Sequence, residues 1–494
     1  MRSWSPERIA QAAGARLHSG PSTTTAGPST TTGPERTVID SRQAGPGALF
    51  VGLPGATLDG GAFATRALAG GAWGVMVAPG HADAAQHAGL AQPDAGQHAH
   101  GAGQHAHGAG HAASGPSGVI LSVKDPLGAL QRLAGAWRRE LDASVIAITG
   151  STGKTTTKDL LLAILAPHRR TVASRANFNT EIGLPLEILG APAGTEVLVL
   201  EMGMRGAGQI AALAAIAQPD VAVVLNVGPV HLEALGTLQG VAAAKAELIA
   251  ELAPGATAIV PAGETLLEPH LRDDVEIVTF GERGDVRLHR ASGQCLQIDL
   301  SGWPTGQPGT RLTLKVPSSL STQAHLRLNL LAAVAAASAV GVTPRGRIEP
   351  TLSAGRGQRL AVENGVTLID DSYNANPMSM RAALDDLAAT AARERSRRRV
   401  AVLGDMLELG PDERSYHIEA GQQACAAGVD LLVTVGARAI AIAEGFAGET
   451  FPVADAGQAA ALVPGLLRPG DAVLVKASRG IGLELVCHAL GAPR

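Results

Sequence analysis

Aromatic side chains are scarce in this 494-residue chain, at 2% of the total, with six Phe, four Trp and two Tyr. Alanine and glycine are correspondingly abundant, and the shortage reads as compositional drift rather than a functional signal. No excess of either charge is present: 40 Lys and Arg against 44 Asp and Glu leave a formal net charge of −4. A nucleic acid or an acidic membrane surface is therefore not an expected partner. The three cysteines, Cys295, Cys425 and Cys487, are odd in number and far apart, which argues against a disulfide framework or a zinc site and fits a reducing cytoplasm. No apolar run reaches the ~18 residues of a membrane span. The first residues also lack the basic-then-apolar layout of a signal peptide. What remains, at 46% apolar and 17% charged, is an ordinary globular composition long enough for about three domains.

One stretch organises the rest. Ser144-Val-Ile-Ala-Ile148 reads as a buried parallel strand, Lys158 to Leu165 has helical apolar spacing, and Thr149-Gly150-Ser151-Thr152-Gly153-Lys154-Thr155-Thr156-Thr157 lies between them. Strand, glycine turn, lysine, hydroxyl and helix follow in the order of a phosphate-binding loop. Gly150 and Gly153 let backbone N–H groups turn toward phosphate oxygens, and the helix N-terminus adds partial positive charge. Lys154 can reach terminal phosphates, and Thr155 or Thr156 can hold Mg²⁺. The full pattern has a glycine where this chain has Ile148, so the loop is the shortened GxxGKTT form.

Organisation before and after this loop is α/β. A helix is expected near Ser5 to Ala13, followed by the tandem Gly20-Pro-Ser-Thr-Thr-Thr-Ala and Gly27-Pro-Ser-Thr-Thr-Thr-Gly, a flexible insert near residues 19–34. A second low-complexity insert, residues 80–117, holds seven of the 15 histidines, from His81 to His111. Two readings stand there: a disordered insertion, or a transition-metal site built on His-x-His. Continuous apolar runs at 196–200, 221–225 and 257–260 read as parallel strands, residues 275–316 as irregular β, and Ala324 to Ala339 as helix. Further strands are expected at 366–369, 400–403, 431–435 and 472–475, giving doubly wound sheets.

Open parallel sheets place ligands past the carboxyl ends of their strands. Glu201, a carboxylate suited to Mg²⁺, directly follows one such strand, and Asn226-Val-Gly-Pro-Val-His231 follows another. Lys245 sits in a helix expected from Thr237 to Leu252, where sequence physics alone makes it a surface lysine.

These elements, with Asn177-Phe-Asn179-Thr-Glu-Ile-Gly183-Leu-Pro185, Asp370-Asp-Ser-Tyr-Asn-Ala-Asn-Pro377 and Leu403-Gly-Asp-Met-Leu-Glu-Leu-Gly410, resemble the Mur ligase family from about residue 38 to 484. The pattern is most similar to the members that join D-alanyl-D-alanine to a UDP-N-acetylmuramoyl tripeptide, using ATP and an acyl phosphate, in peptidoglycan synthesis. The resemblance implies a uridine-nucleotide-binding α/β domain at 1–140, a central ATP-binding domain at 141–355 and a Rossmann-like domain at 356–494. It implies that Thr155 and Glu201 hold one Mg²⁺, that His231 helps hold a second, and that Lys245 is carbamylated and faces metal. Asn329 matches a position on adenine, and Arg359 and Asp371 match positions facing the nucleotide. Ser41 and Arg42 fall in the uridine element, Asn177 and Asn179 among substrate contacts, and Lys476, Ser478 and Arg479 in a turn closing over the site. Family members commonly have Asn at the positions of Leu326 and Thr180, and His at that of Gly61. A monomer in the cytoplasm is expected. The rival readings are a sister amide ligase, of the Mur or folylpolyglutamate synthase type, and an ATP-binding homologue without chemistry.

Overall fold

A computed structural model describes residues 1–18, 32–90, 118–175, 177–301, 303 and 309–493. The chain forms two compact units, one of Met1–Ala143, Asn177–Glu196 and Ala215–Ala217, the other of Ser144–Ala176, Val197–Ala214 and Gln218–Arg494.

Five short strands make the sheet of the first unit. Arg36–Val38, Ala48–Val51, Gly74–Val77 and Val119–Ser122 run parallel, and Arg16–His18 closes one edge antiparallel. Ala48–Val51 and Gly74–Val77 are buried along their whole length, which is why they read as unbroken apolar runs rather than alternating ones. Helix Pro126–Leu141 starts on an Asp125 side chain that accepts from the Gly128 N–H, with proline in the first turn where a missing N–H costs nothing. Its Trp137 is almost wholly buried, donates from Nε1 to the Ala191 carbonyl at 3.0 Å, and meets Trp4 edge to face at 5.5 Å. Both rings of the pair are buried, and they are two of only four tryptophans in the chain. Trp137→Ala is expected to destabilise the unit by about 3–5 kcal/mol; urea unfolding would check it, and a loss below about 1 kcal/mol would contradict it.

The expectation of a disordered insert from residue 80 needs correcting. Pro79–Leu90 is a helix, and Ala82 and Ala85, three apart on one face, are buried against the sheet. Burial of that alanine stripe outweighs the weak local signal. The His81 ring bonds Asp59 at 2.9 Å and fills the space beside Gly61, where an added Cβ would come within 2.3 Å of its Cδ2. His98 to His111, and with them the His-x-His reading, lie outside the described residues, as do residues 19–31 of the first insert.

In the second unit a ten-stranded sheet holds Ser144–Thr149 third from one edge, flanked by Val197–Glu201 and Val221–Val224, all parallel. The stretch read as irregular β is an extension of that sheet, with Val286–Ser292, Cys295–Leu300 and Thr310–Lys315 pairing antiparallel. Alternate burial along Cys295–Leu300 shows that only one face there is covered. Helix Ala324–Ala339 packs its alanines and leucines on helix Lys154–Leu165.

A six-stranded sheet completes this unit. Val366–Asp370, Ala472–Lys476, Arg399–Gly404, Leu431–Val435 and Glu449–Val453 lie parallel in that order, with Gln358–Val362 as an antiparallel edge. Loops from the carboxyl ends of both sheets meet within this unit.

Candidate active site

The glycine turn after Ser144–Thr149 has the backbone its sequence demands. Gly150 and Gly153 take φ of 155° and 82°, and Gly153 is the residue before helix Lys154–Leu165. A Cβ on Gly153 would fall 2.5 Å from the Asn329 Oδ1, so the asparagine of helix Ala324–Ala339 lies directly on the loop. Asn226 supports the turn from below: its Oδ1 accepts from the Thr152 N–H at 2.9 Å, and its Nδ2 donates to the Thr152 hydroxyl at 3.1 Å. Ser151 exchanges bonds with the Gly228 backbone, donating from Oγ at 3.1 Å and accepting at 2.9 Å. The segment from Asn226 to His231 is expected from sequence to follow a strand at the ligand-binding edge, but only His231 of it is assigned a role there; the loop-supporting bonds of Asn226 and Gly228 come from the structure.

Around the loop stand the groups that carry charge. The Lys154 Nζ donates to the Gly150 carbonyl at 2.8 Å. Enclosure by protein pulls this amine's pKa down, opposed by Glu201 and reinforced by Arg356. Thr155 donates from Oγ1 to Glu201 Oε2 at 2.9 Å, and both side chains are buried. Glu201 is the last residue of its strand rather than the first beyond it. Lys245, read from sequence as exposed unless the resemblance holds, is 2% exposed. Burial, and then the neighbouring Lys154 charge, push its amine well below the ordinary lysine range. Among the described residues no hydrogen bond or ion pair ties that amine. His231, also within reach of both lysine charges, bonds through Nδ1 to the Glu408 carboxylate. Burial outweighs that carboxylate and lowers the imidazole's pKa.

From the six-stranded sheet, Asn376 donates through Nδ2 to the Ser151 carbonyl at 3.2 Å while its Oδ1 caps helix Pro377–Glu394. Lys476 donates to Asp371 at 2.5 Å and to the Asn374 carbonyl at 2.8 Å. Even so, burial raises the Asp371 carboxyl above its usual range. The Ser478 hydroxyl donates to the Ala375 carbonyl at 3.2 Å and accepts from the Leu407 N–H at 3.0 Å. Arg479 and Arg356 both face the Tyr373 ring, at 5.2 and 3.9 Å. Arg359, by contrast, is held by Asp386 and Thr390. Burial among Lys476, Arg359 and Arg327 pushes His325 down to about 4. Ser41, Arg42, Asn177 and Asn179 belong to the first unit, where Arg42 is paired with Asp40 at 2.7 Å and the Asn179 N–H turns back onto the Asn177 carbonyl at 2.8 Å.

Among the described residues no three His, Cys, Asp or Glu side chains form a metal-ligand cluster. The donor set still suits a hard divalent cation: a hydroxyl and carboxylate already in contact, an imidazole with its second nitrogen unbonded, and a buried amine without a counter-ion. Lys154 adds an amine beside this set, on the loop whose backbone suits an anionic phosphate.

A phosphate loop with basic and acidic groups converging on it, at the carboxyl ends of parallel strands, defines a nucleotide-dependent α/β protein. Residues 148–337 match the Mur ligase middle domain and residues 355–479 the Mur ligase, glutamate ligase domain. The chain belongs to the Mur ligase family. It is 38% identical to the UDP-N-acetylmuramoyl-tripeptide–D-alanyl-D-alanine ligase of Mycobacterium tuberculosis, over 92% of this chain and 91% of that one. The fold is similar to that of a crystal structure of MurF from Acinetobacter baumannii, with TM-score 0.77 and 27% identity over 99% of this chain and 98% of that one. It is similar also to MurF from Thermotoga maritima in complex with ADP, with TM-score 0.71 and 26% identity over 92% and 96%.

Proposed function

We propose that this chain is an ATP-dependent ligase that joins D-alanyl-D-alanine to a UDP-N-acetylmuramoyl tripeptide in peptidoglycan synthesis. The observation that carries the reading is the cluster of Lys154, Thr155, Glu201, His231 and Lys245 around one glycine turn, in a chain whose relatives bear that name. ATP phosphates lie on the backbone of Gly150, Ser151, Thr152, Gly153 and Thr156, with Asn329, Arg359 and Asp371 toward the rest of the nucleotide. Thr155 and Glu201 hold one Mg²⁺, and His231 with a carbamylated Lys245 holds a second. Bound there, the cations supply neutralisation of charge on the phosphoryl oxygens.

In the first step the tripeptide's terminal carboxylate attacks the γ-phosphorus, the bond to the β-phosphate oxygen breaks, and ADP and an acyl phosphate form. Lys154 offsets charge on the moving phosphoryl group. In the second step the amine of D-alanyl-D-alanine attacks the acyl carbon, the bond from that carbon to the phosphate oxygen breaks, inorganic phosphate leaves with the bonding pair, and the nitrogen gives up one proton. Ser41 and Arg42 hold the uridine end, and Asn177, Asn179, Lys476, Ser478 and Arg479 orient the peptide portions, so catalysis is chiefly positioning and electrostatics. The reading makes the protein a cytoplasmic monomer with small-molecule partners. Among the described residues no helix is long and apolar enough to cross a membrane. Mass spectrometry after incubation with ATP, Mg²⁺ and both substrates should show the tripeptide and dipeptide joined with loss of one water. Recovery of unchanged tripeptide would overturn the proposal.

A further inference from the structure

Five non-glycine residues among those described have positive φ: Asp142, Gln218, His231, Arg395 and Glu408. Three of them end helices, where a left-handed residue is an ordinary stop. The other two, His231 at 52° and Glu408 at 63°, come from different sheets and are hydrogen-bonded to each other. Left-handed backbone at such residues costs free energy and persists where the surroundings hold it.

The surroundings of Glu408 do hold it. Its loop follows Arg399–Gly404, and each preceding residue is tethered: Asp405 accepts from the Ala439 N–H at 2.7 Å, Met406 donates to His417 Nε2 at 3.0 Å, and Leu407 donates to Ser478 at 3.0 Å. Leu409 is buried beyond it, and Gly410, at φ 71°, lies so close to Leu232 that a Cβ would sit 3.4 Å from that backbone. The loop is thus seated against the segment carrying His231. Glu408 bonds Nδ1, and the Nε2 of His231 bonds no described residue. Arg205, at 3.7 Å and largely exposed, is a loose second partner.

We propose that Glu408 is a positioning residue for the reaction: delivered by the loop of the six-stranded sheet, it clamps the His231 imidazole so that Nε2 is presented to the metal site. The inference rests on the reading of His231 as a Mg²⁺ ligand. A carboxylate on the far nitrogen fixes the tautomer and orientation of a ligating histidine, and loss of such a partner typically weakens metal binding about 10–100-fold. It also ties metal binding to the seating of residues 405–410, so the last domain completes the site rather than merely covering it.

Mn²⁺ binding in the presence of ADP, followed by electron paramagnetic resonance, tests this without reference to turnover. Glu408→Gly removes the carboxylate while suiting the positive φ, so folding should be retained. Its weaker Mn²⁺ site should lose about 10–100-fold in affinity, with an unchanged thermal midpoint. Glu408→Gln keeps an acceptor and should lose less; it carries the test should the glycine variant not fold. Unaltered Mn²⁺ affinity in the Glu408 variants would overturn the proposal. A parallel His231→Ala variant separates the two levels: weakened Mn²⁺ there but not at Glu408 removes the clamp alone, and no effect in either removes the metal role of His231 as well.

Discussion

Lys154→Ala is expected to leave the protein folded and to lower substrate-dependent phosphate release by about 10³-fold. Among the described residues the side chain makes one hydrogen bond, to a carbonyl of its own loop, and the Glu201 carboxylate keeps the Thr155 hydroxyl when the lysine is removed. What is lost is a cation in an enclosed site, where charge is worth far more than in water. Its partial enclosure holds the amine below its free range, and that shift is opposed by Glu201, so the charge is already set against the carboxylate that shares the phosphate site. Thermal unfolding and single-turnover phosphate release together check the expectation. A variant within tenfold of the wild-type rate would remove Lys154 from the phosphoryl step.

Lys245→Ala is the second large effect, expected at about 10²–10³-fold on the rate. An ammonium at this position would be buried without a counter-ion beside a second amine, an arrangement that costs several kcal/mol. The neutral amine escapes that cost and is the form that attacks CO₂; a new N–C bond forms, one C=O π bond opens onto oxygen, and the nitrogen releases a proton to solvent, leaving an anionic carbamate that would face both Lys154 and a cation. Wild-type activity should therefore fall in CO₂-depleted buffer and return with bicarbonate. Carbon-13 bicarbonate should give a carbamate resonance that Lys245→Ala lacks. Full activity without CO₂ and no such resonance would leave Lys245 as a buried amine of some other use.

The parts of the fold that were legible share a cause. Strands such as Leu431–Val435 and Ala472–Lys476 are covered on both faces, so burial writes itself into the sequence as unbroken apolar runs. The glycine turn was legible because a phosphate loop constrains backbone and side chains together. Helix Pro79–Leu90 was hidden because its buried residues are alanines in a segment otherwise poor in apolar signal. Short edge strands such as Arg16–His18 have only one neighbour and no pattern long enough to read. In the site, Arg356 and Glu408 escaped for a different reason. Glu408 matters through a left-handed backbone and a bond 177 residues away in sequence, and Arg356 through its stack on Tyr373; neither leaves a periodic trace. Lys245 shows the limit from the other side, since helical spacing alone made it an exposed lysine and only tertiary packing buries it.

The most direct measurement is phosphate release from ATP and Mg²⁺ with UDP-N-acetylmuramoyl tripeptides that differ only in the third residue, each with and without D-alanyl-D-alanine. Release that requires both the tripeptide and the dipeptide is the predicted result, and the rates would rank the third residues. Bound ATP with no release for any pair, or release that ignores the dipeptide, would contradict the ligase account.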